Sequence, residues 1–92
     1  MQGQPVHRRF TLEQAAAVAQ TIGVDLNDEG IDLMEFARGM KVELEHGRRD
    51  PQTDVTHDDP IITGKIALAH LREFPDYYER LAQMEHDAET QR

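Results

Sequence analysis

Cysteine, tryptophan and serine are all missing from this 92-residue chain, and only three Phe and two Tyr supply its aromatic content. Without cysteine there are no disulfide staples and no thiolate metal sites. Without serine or cysteine, nucleophilic chemistry of either kind is excluded. A chain with so few large rings builds a thin core, mainly from Leu, Ile, Met and Ala. At this length a single domain buries roughly two-thirds of its unfolded surface at best. Association with a second copy is an economical way to add buried area.

Basic residues are also scarce. Ten Lys and Arg stand against eighteen Asp and Glu, a formal charge of −8. Nucleic acid and anionic membranes both require a positive field, so neither is an expected partner. An acidic mimic of nucleic acid is a third and weaker reading. No apolar run approaches the roughly 20 residues of a membrane span. Basic residues near Met1 are not followed by a hydrophobic stretch, so no secretory signal is read there. The expected location is cytoplasmic.

Hydrophobic spacing then predicts an all-α fold, a compact bundle of about four short helices. Residues 1–9 read as a flexible arm, 10–88 as one helical domain and 89–92 as a frayed tail. Helix one opens on a capping box, Thr11 with Gln14, and stops at Gly23. Its inward residues are expected to include Leu12, Ala15, Ala16, Val18, Ala19 and Ile22. Helix two runs from Ile31 or Asp32 to His46, with Leu33, Phe36, Ala37, Met40 and Leu44 inward and Gly47 as its stop. Gly39 inside that helix weakens it by roughly 1 kcal/mol relative to Ala, which signals a close backbone approach. Asp59 caps helix three with Pro60 at its first position, its stripe being Ile62, Ile66 and Ala69. Helix four spans Asp76 to about Ala88, with Tyr77 or Tyr78, Leu81, Met84 and Ala88 inward.

Two pairs carry the only constellation with metal-ligand chemistry. Glu43 and His46 are three residues apart, as are His70 and Glu73, so each pair shares a helix face. The Glu-x-x-His spacing is the one di-metal carboxylate bundles use. Histidine in a last helical turn also satisfies the helix dipole, so both pairs read equally as structural braces. If helices two and three run antiparallel, their C-terminal ends lie apart. The four groups then meet only through a crossed arrangement or through symmetry in an oligomer. The segment from Asp25 to Glu35 has the look of a calcium loop, but one residue too short. Lys65 has a stem suited to covering core, with Glu43 or Glu45 within expected reach of its ammonium.

The runs Glu43-Leu44-Glu45-His46-Gly47, Asp54-Val55-Thr56-His57-Asp58-Asp59-Pro60, Thr63-Gly64-Lys65-Ile66-Ala67-Leu68-Ala69-His70-Leu71 and Glu73-Phe74-Pro75-Asp76-Tyr77-Tyr78 resemble a family of small bacterial and phage-encoded proteins. That family is a domain of unknown function, so the resemblance brings no reaction, ligand or partner. It implies that Glu45, His46, His70, Pro75 and Tyr78 belong to a recurrent pattern. Asp28-Glu29-Gly30 departs from the family pattern, which weakens the calcium reading.

Taken together, the residues favour a small acidic accessory domain, non-catalytic and without a cofactor, acting through contacts with a protein partner or with itself as a homodimer. An exposed apolar patch near Phe36, Met40 or Tyr77 is the feature this reading calls for. The alternative is a metal-binding helical protein in which Glu43, His46, His70 and Glu73 hold a divalent ion such as iron, manganese or zinc, at an oligomer interface.

Overall fold

The computed structural model describes residues 10–90; the arm expected at residues 1–9 lies outside them. Four helices follow in order: α1 (Leu12–Ile22), α2 (Leu33–Arg49), α3 (Pro60–Glu73) and α4 (Tyr77–Thr90). Among the described residues there is no strand, and no helix is long and apolar enough to cross a membrane.

Local chemistry sets the starts. The Thr11 hydroxyl accepts from the Gln14 N–H while the Gln14 side chain accepts from the Thr11 N–H, closing the capping box. Asp32 caps α2 through the Met34 N–H, and Asp59 caps α3 through the N–H groups of Ile61 and Ile62. Gly23 ends α1 at φ 89°, in the left-handed conformation that glycine adopts without a Cβ penalty.

The core joins Ala15, Val18 and Ala19 of α1 to Phe36 and Met40 of α2, with Ala67, Leu68 and Leu71 of α3 and Tyr78 of α4. Helices α2 and α3 form the main contact. Glu43 meets His70 while His46 and Gly47 share a cavity with Ile66, so α3 runs back along α2. The Arg72 guanidinium, donating two hydrogen bonds to Glu29 at 2.8 and 2.9 Å, ties the end of α3 to the α1–α2 connector.

Several inward faces differ from those the apolar spacing predicts. The buried face of α3 is Thr63, Gly64, Ala67, Leu68 and Leu71, not the stripe of Ile62, Ile66 and Ala69. Small residues let α3 approach so closely that a Cβ on Gly64 would stand 2.5 Å from Val18 Cγ1. That leaves Ile62 and Ala69 outside. Gly47 does not stop α2, which continues to Arg49. Its role is contact: an added Cβ would lie 2.7 Å from both Asp54 Oδ1 and Thr56 Oγ1 of the following loop. On α1, Leu12 and Ala16 are exposed. Helix α4 packs only through its first two turns, with Tyr78 buried, Tyr77, Leu81 and Ala82 half-buried, and everything from Gln83 onward exposed. It also runs to Thr90, so the first two residues of the expected tail are helical.

Candidate functional site

Where α2, α3 and α4 converge, five chemically capable side chains meet: Glu43, His70, Glu73, Tyr77 and Tyr78. Gly39 opens the place, because its missing Cβ leaves room for the Tyr78 ring to lie against the α2 backbone. Tyr78 is 1% exposed, and its hydroxyl donates to Glu43 Oε2 at 2.8 Å. His70 Nε2 stands 3.7 Å from that same oxygen. The His70 ring stacks on Tyr77, centroids 4.3 Å apart and 7° from parallel, and meets the Tyr78 ring edge-on at 6.2 Å. On its other side His70 Nδ1 lies 3.9 Å from Glu73 Oε1. Burial first, and then the hydrogen bond to the Glu43 carboxylate, push the Tyr78 phenol far above its ordinary value.

In this arrangement Tyr78 serves as a hydrogen-bond donor to Glu43. A phenol that resists ionisation is neither a nucleophile nor a base at neutral pH. Glu43 acts as a hub, accepting from Tyr78 and facing His70, so that three helices are joined at one carboxylate. The two nitrogens of the His70 ring point away from each other, one toward Glu43 and one toward Glu73. A single ion bound at either nitrogen therefore meets only one of these carboxylates.

Of the four residues picked out by spacing, the fold thus gathers Glu43, His70 and Glu73. His46 is exposed on α2 and lines a cavity of about 250 Å³ together with Glu43, Thr53 and Thr56 of the loop and Ile66 of α3. Among the described residues, no group of three or more His, Asp or Glu side chains is disposed to hold a metal ion. Most carboxylates of the calcium-like segment are committed elsewhere, although Glu35 Oε1 is buried without a hydrogen-bond partner. Asp25 accepts from the Asp28 N–H, Glu29 pairs with Arg72, Asp32 caps α2 and Glu35 pairs with Arg38. Lys65 is exposed and forms no ion pair with Glu43 or Glu45. Tyr77 and Tyr78 separate into one half-buried ring and one core ring, and the core ring is the one whose hydroxyl finds a partner.

A concavity of about 580 Å³ lies between the end of α1 and the connector to α2. Its acidic side chains Asp25 and Asp32 are the same two that fold the turn and cap the helix, which leaves it without a convergent reactive group. A smaller groove of about 250 Å³ between the start of α1 and the outer face of α2 is different in kind. Phe10, Leu12, Met34, Ala37, Arg38 and Lys41 line it. Met34 is 64% and Leu12 47% exposed. Spacing points to neither, since Leu12 belongs to an expected inward face. Met34 carries a faint signal, being an apolar residue off the stripe that α2 buries. Phe36 and Met40, by contrast, are fully buried and present no surface patch.

The family model for DUF5661, described as a protein of unknown function, matches residues 15–87. The chain belongs to this family. The match takes in every residue of the Glu43–His70–Tyr78 cluster and most of the groove, but not Phe10 or Leu12. Neither a curated protein nor a solved structure matches this DUF5661 chain.

Proposed function

We propose that this DUF5661 protein is a non-catalytic interaction domain whose working surface is the groove between α1 and α2. The observation that carries the reading is the chemistry of that groove. Two large exposed apolar side chains, Leu12 and Met34, line it together with Arg38 and Lys41, on a chain of net charge −8. Exposed apolar surface beside charged side chains is the form of a site that takes the apolar face of a helix. The two basic side chains select a segment whose flanking residues are acidic. On this reading the Tyr78–Glu43–His70 cluster braces the bundle that presents the groove. Titrating isotope-labelled protein with acidic and with basic amphipathic helical peptides tests it. Acidic peptides shift the amides around Leu12, Met34 and Lys41, and basic ones do not. Shifts spread over the surface, or none with either peptide, dispose of the reading.

The second reading, a divalent-metal site, is supported by one contact, the approach of His70 to Glu43 across two helices. It needs further ligands from a second copy. Calorimetry with zinc or manganese on wild type and on His70→Ala separates the two readings, because His70→Ala abolishes metal uptake and leaves peptide binding intact.

A further inference from the structure

Glu43 has one oxygen that the three-helix junction leaves unused. Its side chain is 12% exposed, and its Oε2 accepts from Tyr78 and faces His70. Its Oε1 accepts no hydrogen bond among the described residues. Nor is that oxygen sealed in: among the described residues only Glu35 Oε1 is both buried and unpartnered. Tyr78, with a phenol that resists ionisation, supplies Oε2 with a hydrogen bond but no positive charge. A carboxylate withdrawn this far from water is costly to leave short of donors.

The cavity that Glu43 lines with His46 has the matching deficit. Among the described residues, no lysine or arginine lines it. Its two threonines have spent their protons: Thr53 Oγ1 donates to the Asp50 carbonyl oxygen and Thr56 Oγ1 to Asp54 Oδ1. What both offer a further group is acceptor lone pairs. Half-buried Ile66 and exposed Val55 add apolar surface. An ammonium has three donors and no acceptor, and it carries the charge that Glu43 lacks opposite it. A volume of about 250 Å³, on the order of eight waters, suits a short chain rather than a drug-sized ligand. We propose that this cavity binds a short aliphatic primary amine, its ammonium on Glu43 Oε1 and the threonine oxygens and its alkyl chain against Ile66 and Val55. The site shares no lining residue with the α1–α2 groove, so it stands independently of the interaction reading.

Titrating the isotope-labelled full chain with butylamine tests the proposal, with butanol and butyrate as controls that keep the alkyl chain and change the head group. A chelator is present throughout, so that no trace metal contributes, and pH and ionic strength are held fixed. Butylamine is expected to give saturable shifts at the amides of Glu43, Gly47, Thr53 and Thr56 and at the Ile66 methyl groups. Butanol and butyrate leave those signals in place at the same concentrations. Glu43→Gln keeps an oxygen for the Tyr78 hydroxyl but loses the charge, and it weakens butylamine binding at least about tenfold. Val55→Lys acts at an exposed position and brings an ammonium of the protein's own to the cavity. It is expected to fold as wild type by circular dichroism and to weaken binding by a similar factor, which decides the matter even if Glu43→Gln fails to fold. Equal shifts with butanol overturn the proposal, because the cavity then takes any apolar chain. Butylamine shifts that never saturate, or that spread over the acidic surface, overturn it too, as does binding that Val55→Lys leaves unchanged. No shift with any of the three means that the cavity holds water only, and the proposal fails.

Discussion

The Tyr78 hydroxyl and the Glu43 carboxylate, 35 positions apart in the chain, are joined by a 2.8 Å hydrogen bond that fastens α4 to α2. Because burial raises the folded-state phenol value above its unfolded value near 10, Tyr78 stabilises the fold fully below about pH 10 and progressively less above it. Tyr78→Phe removes both the bond and the titration. At pH 7 it is expected to cost about 1.5 kcal/mol, as for a hydrogen bond to a charged acceptor. By pH 11 wild type alone has lost about 1.4 kcal/mol through this group, so the two denaturation midpoints converge. Urea unfolding at pH 7 and pH 11 measures the gap, and a gap unchanged between them contradicts the assignment.

A second pH limb belongs to Glu29 and Arg72. The hydrogen bonds from Arg72 hold the Glu29 carboxyl below its ordinary value. A depressed carboxyl value contributes stability above the unfolded value, and that contribution disappears as pH falls through the folded value. Glu29→Gln is therefore expected to lower the thermal midpoint at neutral pH and to match wild type only after the pH has fallen through the depressed folded value, below the ordinary carboxylate range. Both side chains are well exposed, so added salt shrinks the difference. Thermal melts across the acid range, repeated at high ionic strength, check both statements.

Gly39→Ala sets helix propensity against packing. Alanine gains about 1 kcal/mol in a helix interior, but its methyl group would drive into the Tyr78 ring. Overpacking of this kind costs about 1–3 kcal/mol, and displacing the ring also strains the bond to Glu43. Chemical denaturation is expected to show a net loss of about 1–2 kcal/mol. Pairing the substitution with Tyr78→Phe gives less than the sum of the two separate losses, since both act on one contact.

These relationships differ in how far local pattern reveals them. The caps at Thr11, Asp32 and Asp59 and the stop at Gly23 are decided within a few residues, so the helices and their order are readable from sequence. The inward face of α3 is not, because Thr63, Gly64 and Ala67 carry little hydrophobicity. Their value lies in being small where α1 and α2 come close. Gly47 shows the same ambiguity, since glycine both ends helices and admits close neighbours, and here the neighbour is a loop that no spacing within α2 announces. For the site, spacing singled out Glu43, His46, His70 and Glu73 as a possible ligand set. It paired Glu43 and His70 with His46 and Glu73 on their own helices; the geometry keeps Glu73 beside His70 and adds the contacts across helices from Glu43 to His70 and Tyr78. The groove at Leu12 and Met34 exists only after α1 and α2 have packed.

The loop between α2 and α3 supplies the last expectation. His57 and Asp58 take successive positive φ values of 46° and 64°, the left-handed region that side chains with a Cβ enter at a cost. The surrounding bonds enforce it. Asp54 Oδ1 accepts from the His57 N–H at 2.9 Å, and Arg48 grips the Asp58 carboxylate at 2.8 and 3.0 Å. His57 itself is exposed, and its imidazole lies 3.9 Å from Asp54, a contact worth little in water. Replacing it therefore reports mainly on the backbone. His57→Gly relieves a left-handed penalty of about 1–2 kcal/mol and gives back about 0.4–1 kcal/mol through a more flexible unfolded chain. A net gain of about 0.5 kcal/mol is expected. His57→Val, β-branched and least tolerant of positive φ, is expected to lose stability instead. The order Gly above His above Val in urea midpoints identifies the strain as real. Three coincident midpoints would mean that the loop relaxes to negative φ in solution and that the Asp54 bond does not hold it.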